Sequence, residues 1–479
     1  MIKSKLSKYW QLLILFGILS CNPTAKKENK QPNILLIFAD DLTFNSIRAL
    51  GNKEVKTPNL DRLVNSSVSF SNSYNMGGWG GAVCIASRTM MFTGKFLWDA
   101  QKADSLFVTD SYLNPLLSEL LNDAGYDTYM SGKWHIKKPA KDVFKYAKNI
   151  RPGMPNQTPQ GYNRPLNEND TLWKPWDKSK QGFWKGGKHW SEVLGDDAIG
   201  FIDSAKTKEN PFFMYLAFNA PHDPRQSPKE FVDQYPLESI SIPKNFLPEY
   251  PYKEEMGAGK NLRDERLAPF PRTEYSVKVN IQEYYAIISH MDQQIGRILE
   301  ALETSNLLDD TYIIFSADHG LAVGQHGLMG KQNMYDHSLR VPLLISGPNV
   351  PKNKSVKSDV YIQDIMPSIL ELANINKPSF VDFNSLIPFL TTDNNKSNYS
   401  EIYGAYINDQ RMIRKNDYKL IVYPKAKKVR LFNVKDDPNE MHDLSYNKNY
   451  DSIKTSLFND LQKLQIKMKD KLELDENYL

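Results

Sequence analysis

Four segments of the chain repeat one pattern, a near-continuous apolar run that ends in polar, chemically capable residues. They are NILLIFADD (33–41), YDTYMSGKWH (126–135), PFFMYLAFNAPHDP (211–224) and TYIIFSADHG (311–320). Apolar character without alternation predicts strands buried on both faces, hence a mostly parallel sheet. Helical patterns lie between these runs. TPNLDRLV places Thr57 at an N-cap and Pro58 at the first helical position. Leu113, Leu116, Leu117, Leu120 and Leu121 keep a helical spacing that Gly125 stops, and a longer helix is predicted over about 282–303. Strands alternating with helices make a doubly wound α/β fold, in which ligands bind beyond the carboxyl ends of the strands. The four polar endings should therefore converge on one crevice.

Other stretches break the alternation. Residues 150–190 pack Trp173, Trp176, Trp184 and Trp190 among Gly, Pro and Lys, which predicts a long loop or insertion, and residues 236–275 are Pro-rich and irregular. After about Asn395 the pattern becomes short strands (EIYGAYI, QRMIRKNDYKLIVYP, KVRLFNV) and then a helix with Leu457, Leu461 and Leu464 on one face. That is a smaller antiparallel α+β subdomain. At the other end, a lysine-bearing start precedes an apolar run from Leu12 to Leu19, too short to span a bilayer and of signal-peptide form. Its ending, Ile18-Leu19-Ser20-Cys21, resembles a bacterial lipobox. That resemblance implies a lipid on Cys21, attachment to a membrane through it, and an exported lipoprotein on the periplasmic or cell-surface face of the outer membrane. The polar NPTAKKENKQ that follows has the composition of a tether. The expected organisation is a signal peptide over 1–20, a tether over 21–31, a main domain over 32–394 and the C-terminal subdomain over 395–479.

Composition changes this picture little. Hydrophobic residues at 41% and charged residues at 24% describe an ordinary globular protein of 479 residues. A net charge of +4 permits an anionic substrate, and with no clustered basic helix it gives no reason to expect nucleic acid. Cysteine matters more. The chain has two, and if Cys21 carries lipid then Cys84 has no partner for a disulfide. An isolated cysteine is most often a small buried hydrophobe, so Cys84 needs further support to be read as a nucleophile or its precursor.

The strand endings supply candidates. Asp40 and Asp41 end the first run side by side, and Asp318-His319 end the fourth; three carboxylates and an imidazole in one crevice suit a divalent cation. Oxygen-rich ligation favours Ca²⁺ or Mg²⁺, while His319 leaves Mn²⁺ or Zn²⁺ open. Lys133 and His135 stand two apart and would point the same way in an extended segment. His222, in a proline-flanked turn at a strand end, is a candidate acid. Lys331 follows a glycine and is a candidate anion binder, whereas His326 and His337 read as structural or peripheral.

CIASRTMMFTGK (84–95) resembles the signature of the sulfatases, in which Cys-x-Ala/Pro-Ser-Arg precedes Thr-Gly by several residues. Together FADD, CIASR, GKWH, PHDP, SADHG and MGKQNMYDHSLRVPL are similar to type I sulfatases of the alkaline phosphatase superfamily, in the family's order. RMIRKNDYKLIVYP and RLFNVKDDPNEMHDL resemble its closing segment. The resemblance implies an alkaline-phosphatase-like doubly wound sheet. It implies that a maturation enzyme oxidises Cys84 to Cα-formylglycine, whose hydrated aldehyde attacks sulfur and later expels the sulfate by elimination. Asp40, Asp41, Asp318, His319 and the modified Cys84 would bind the metal, Ca²⁺ by family default. Arg88 would hold the nucleophile, Lys133 and Lys331 the sulfate oxygens, while His222 would protonate the leaving oxygen and His135 assist breakdown of the sulfated diol. Bacterial lipoproteins of this kind usually serve polysaccharide catabolism, so the implied substrate is a sulfated glycan, for example ulvan or carrageenan.

Trp79, Trp184 or Trp190 could stack on sugar, and Arg225, just after PHDP, could bind a uronate or second sulfate. Two other functions fit the scaffold: a phosphomonoester or phosphodiester hydrolase, and a catalytically silent glycan-binding lipoprotein.

Overall fold

The computed structural model describes residues 31–162, 164–391, 397–475 and 478–479. The expected signal peptide, Cys21 and all of the tether but Gln31 lie outside the described residues, as does the expected boundary at 394/395. No helix among the described residues is long and apolar enough to cross a membrane.

Thirteen strands in chain order build two sheets among the described residues. They are β1 Asn33–Ala39, β2 Val68–Tyr74, β3 Gly77–Gly78, β4 Asp127–Lys133, β5 Tyr146–Arg151, β6 Phe212–Ala217, β7 Thr311–Ala317, β8 Leu343–Ser346, β9 Lys354–Tyr361, β10 Ile402–Tyr406, β11 Gln410–Lys415, β12 Tyr418–Tyr423 and β13 Lys428–Asn433. The large sheet runs β5-β4-β6-β1-β7-β8-β2-β9. Its centre, β4-β6-β1-β7, is made of the four patterned segments, all parallel. Only β8 runs against its neighbours. Ile34 to Ala39 and Phe212 to Ala217 are wholly buried, as runs without alternation require. The registers Ala39↔Ala317, Phe38↔Ala217 and Gly132↔Ala217 bring the carboxyl ends of these strands to one edge.

Two helices differ from their predicted extents. The long one begins earlier, Glu274–Thr304, because the Thr273 hydroxyl caps the backbone N–H of Ser276 at 3.1 Å. The other is shorter, Leu117–Asp123: Pro115 interrupts the pattern, Glu119 accepts from the Leu116 N–H, and Leu113 stands 94% exposed outside it. The described residues of 152–189 form turns and short 3₁₀ pieces, with Trp173 and Trp184 folded inward.

The second sheet runs β13-β12-β11-β10-β3 and is antiparallel except where β3 joins β10. The helix Asp451–Met468 buries Leu457, Leu461 and Leu464 in the core on this sheet. Strand β3 lies just before the helix that starts with Val83-Cys84, so the second sheet braces the entry to that helix. The contact admits only glycine at position 77. Its φ is +91°, and a Cβ there would lie 2.0 Å from the Ala405 carbonyl oxygen.

Candidate active site

The helix Val83–Thr93 puts Cys84 in its first turn and Arg88 one turn later on the same face. Cys84 is a buried free thiol. Arg88 is fully buried and reaches three strand ends at once. Its Nε and Nη2 each lie 3.1 Å from Asp318 Oδ2, and Nη1 donates to the Lys133 carbonyl at 2.8 Å and the Tyr215 hydroxyl at 2.9 Å. This planar fork joins the helix to β4, β6 and β7.

Lys133 leaves β4 through Gly132, whose φ of +94° and whose Cβ position 2.0 Å from the Ala217 carbonyl exclude any larger residue. Lys133 Nζ pairs with Asp40. Lys331 Nζ donates to Asp41 at 2.8 and 3.1 Å and lies 3.8 Å from Cys84 Sγ. Asp41 itself takes a left-handed φ of 70°, fixed by its N–H to Asp318 Oδ1 at 3.2 Å and by the Tyr284 hydroxyl donating to its carbonyl at 2.7 Å. His319 Nδ1 lies 3.2 Å from Asp41 Oδ1 and its Nε2 3.6 Å from Asp318 Oδ1. His222 turns Nε2 toward Asp41 Oδ2 at 3.8 Å while Nδ1 meets the Asp223 carbonyl at 2.8 Å.

Charge crowding shapes the acid–base state. Burial and then Asp318 push the Asp40 carboxyl well above its usual range, and burial pushes Asp41 to about 6 against Lys331 and His319. Burial would raise Asp318 too, but His319 and Arg88 outweigh it and hold it low. Burial also opposes ionisation of the Cys84 thiol, yet Lys133 and Lys331, with His135 and His319 beside the sulfur, hold it well below the ordinary thiol range. Burial, then Lys331 and Lys133, keeps the His222 imidazole neutral.

The donors fit a divalent cation. Asp40, Asp41, Cys84 and His222 place ligand atoms within 4.8 Å of one another, as do Asp40, Cys84, Asp318 and His319. Asp40 Oδ1 is buried without a hydrogen-bond partner. A cation would neutralise carboxyls that burial otherwise penalises.

Cys84, His135, His222 and Lys331 open onto a cleft of about 430 Å³ whose walls include Gly153, Met154, Arg263 and Gln332. The structure thus brings together Asp40, Asp41, Cys84, Arg88, Lys133, His135, His222, Asp318, His319 and Lys331. The candidate sugar contacts are not among the residues that line the cleft. Trp184 is buried, donating from Nε1 to the Pro175 carbonyl at 3.0 Å and packing edge-on against His189. Arg225 is fully buried, with Nη1 on Asn280 Oδ1 at 2.6 Å. Trp190 lies buried in the main core, and Trp79 packs against the core of the second sheet. The cleft takes its arginine from elsewhere. Arg263 comes from the Pro-rich irregular stretch, where no periodicity or motif marks it. His326 and His337 pair at 3.3 Å in a buried cluster outside the cleft lining. A second cavity of about 450 Å³, beside Arg62, Leu299 and Lys352, opens by the start of β7 and carries none of this chemistry.

Comparison with known proteins agrees along the chain. The family Sulfatase matches residues 32–375, and the family N-sulphoglucosamine sulphohydrolase, C-terminal, matches 324–467. An N-acetylglucosamine-6-O-sulfatase of Bacteroides thetaiotaomicron is 27% identical over 98% of this chain and 92% of its own. An ulvan-active sulfatase of Formosa agariphila is 26% identical over 98% and 88%. A solved structure bound to D-glucosamine-2-N,6-O-disulfate has the same fold, with a TM-score of 0.71 at 21% identity over 92% of this chain and 99% of that one.

Proposed function

We propose, from the premise that this chain belongs to the sulfatase family and is a sulfuric ester hydrolase, that it removes sulfate from a sulfated glycan through a formylglycine made from Cys84. The observation that carries this reading is the place of Cys84: first turn of a buried helix, floor of the cleft, ringed by Arg88, Lys133, Lys331, His135 and His222. Neither a lone buried hydrophobe nor a passive glycan binder needs that ring.

Asp40, Asp41, Asp318 and His319 would hold one divalent cation, Ca²⁺ in this reading. When bound, the cation supplies charge that sharpens an oxygen nucleophile at position 84 and draws on the sulfate oxygens. The chain's own residues do the rest. Arg88 orients the nucleophile from one helical turn away. Lys331 and Lys133 clamp the sulfate oxygens, whose negative charge grows as the ester bond breaks. His222, its Nδ1 pinned to the Asp223 carbonyl, presents Nε2 to the leaving oxygen and takes up a proton once the anion is seated beside it. His135 faces the side chain of residue 84 and moves its proton as the sulfate is expelled.

The sugar substrates of similar proteins, an N-acetylglucosamine-6-O-sulfatase, an ulvan-active sulfatase and a structure bound to D-glucosamine-2-N,6-O-disulfate, support a sugar substrate. An algal glycan such as ulvan or carrageenan is the member of that class we put first. The N-terminal residues support export as a lipoprotein acylated at Cys21 and held at the outer membrane. The test is ion release from a panel of sulfated algal and animal glycans, intact and predigested, with sulfate and phosphate both quantified. Protein matured by a formylglycine-generating enzyme is compared with Cys84→Ala. Sulfate release that depends on Cys84 is expected, and phosphate release in excess of sulfate overturns the reading.

A further inference from the structure

Arg263 is the one arginine among the residues lining the cleft, and it has no part in the sulfate or metal groups described above. Its side chain is 32% exposed. The Nε donates to Asp264 Oδ1 at 2.7 Å, and Nη2 pairs with the same oxygen and lies 3.5 Å from Asp223 Oδ1. Nη2 also stands 3.3 Å from His222 Nε2. Among the described residues Nη1 meets only the Met154 thioether, a weak acceptor, so its two N–H groups keep nearly all their donor capacity. The guanidinium is therefore anchored on one side by two carboxylates and open on the other to the cleft.

The segment that carries it is anchored too. Glu265 accepts the backbone N–H of Met329 and of Gly330, the latter at 2.9 Å, and is ion-paired to Arg272. These bonds fix Arg263 relative to Lys331. In the reading above, His222 Nε2 addresses the leaving oxygen, so the same guanidinium reaches the substituents beside that oxygen on the sugar ring.

We infer that Arg263 reads a second anionic group, a carboxylate or another sulfate, on or next to the sugar that bears the scissile sulfate. This rests on the glycan-sulfatase reading and narrows it to multiply anionic glycans. A fixed guanidinium whose Nη1 donors are uncommitted suits an oxyanion better than a neutral hydroxyl.

The test uses Cys84→Ala protein, which does not turn over, with and without Arg263→Gln. Two ligand pairs are titrated: a sulfated uronate disaccharide against its carboxyl-reduced form, and a disulfated against a monosulfated sugar. In at least one pair the more anionic ligand should bind tighter by about tenfold, the worth of one charge-assisted hydrogen bond, and Arg263→Gln should remove most of that ratio. The pair whose ratio collapses identifies the anion. An unchanged ratio in both pairs overturns the inference, as does equal weakening of both members, which a merely structural role would give. Should Arg263→Gln fail to fold, Arg263→Lys keeps the charge without the fork and should lower the same ratio. Sulfate release from the monosulfated sugar by Cys84 protein is scored separately. Its failure counts against the sulfatase reading, whereas the binding ratio alone decides Arg263.

Discussion

Gly153→Ala should cripple the enzyme without unfolding it. A Cβ on Gly153 would lie 2.2 Å from both Cε1 and Nε2 of His135 and 2.8 Å from its Cδ2. Ordinary contact begins at 3.4 Å, so the ring must retreat by about 1.2 Å. The backbone has little freedom to yield instead, since Asn219 Nδ2 donates to the neighbouring Pro152 carbonyl at 3.1 Å and His135 already sits at a left-handed φ of 63°. The imidazole therefore leaves its place facing the Cys84 side chain. A displacement of about 1 Å in a reacting group costs about 10²-fold in rate, or about 2.7 kcal/mol of barrier. Stability should fall by no more than about 1–3 kcal/mol from the overpacking, partly offset by the about 0.4–1 kcal/mol that alanine gains by restricting the unfolded chain, since Gly153 has no left-handed φ.

The assay is kcat on one sulfated sugar, with thermal unfolding alongside, for Gly153→Ala, His135→Ala and the double variant. If the glycine acts through the histidine, the double variant turns over no more slowly than His135→Ala alone, since removing the ring gives the new methyl its space. Activity of Gly153→Ala within about threefold of the parent, against the expected 10²-fold, would refute the steric reasoning. A further loss in the double variant would show instead that the wall residue matters independently of His135.

Other outcomes follow from the same geometry. His222→Ala should slow natural sugar sulfates by about 10²-fold or more, yet 4-nitrophenyl sulfate, whose leaving group needs no proton, by under about tenfold; equal losses on both would remove His222 as the acid. Chelator-stripped protein should lose activity and recover it with Ca²⁺, and its unfolding free energy should rise by about 2.7 kcal/mol at a hundredfold excess over the dissociation constant. A melting temperature indifferent to added divalent cation would sink the metal assignment. Outside the cleft lining, burial pushes Asp364 up to about 7, outweighing donors from Tyr399 at 2.5 Å, Asn384 at 3.1 Å and Tyr361 at 3.2 Å. Its folded value exceeds the unfolded 3.8, so the stability it contributes is complete below about pH 4 and is lost as pH rises through about 7. Asparagine cannot titrate, so the cost of Asp364→Asn in urea unfolding should shrink from pH 5 to pH 8, by at most about 1.4 kcal/mol per pH unit. A cost independent of pH would contradict the shift.

What the sequence disclosed and what it withheld divide along a physical line. Eight of the ten clustered residues were legible because each sits within two residues of a strand end or on the first turns of one helix, while His222 and Lys331 stand on the loops that follow β6 and β7. Strand pairing leaves such residues little choice: once Ala39 pairs with Ala317, and Phe38 and Gly132 both flank Ala217, the endings must meet. Wall residues obey no such rule. Arg225 follows His222 by three positions and looked equally poised, yet its left-handed φ of 52° and its bond to Asn280 on the long helix turn it into the core. Arg263 had nothing beside it in sequence to mark it. Its position depends on Glu265 being caught by the N–H groups of Met329 and Gly330, a contact across more than sixty residues that no local pattern encodes. The tryptophans of the long loop were open to two readings for a related reason. A large amphipathic ring serves packing and sugar stacking equally well, and here burial of Trp173 and Trp184 lets an otherwise irregular stretch hold one shape. Chemistry common to a family therefore sits where backbone hydrogen bonds dictate position. The residues that select a substrate sit where only tertiary contacts do, which is why Arg263 emerged from the structure and not from the chain.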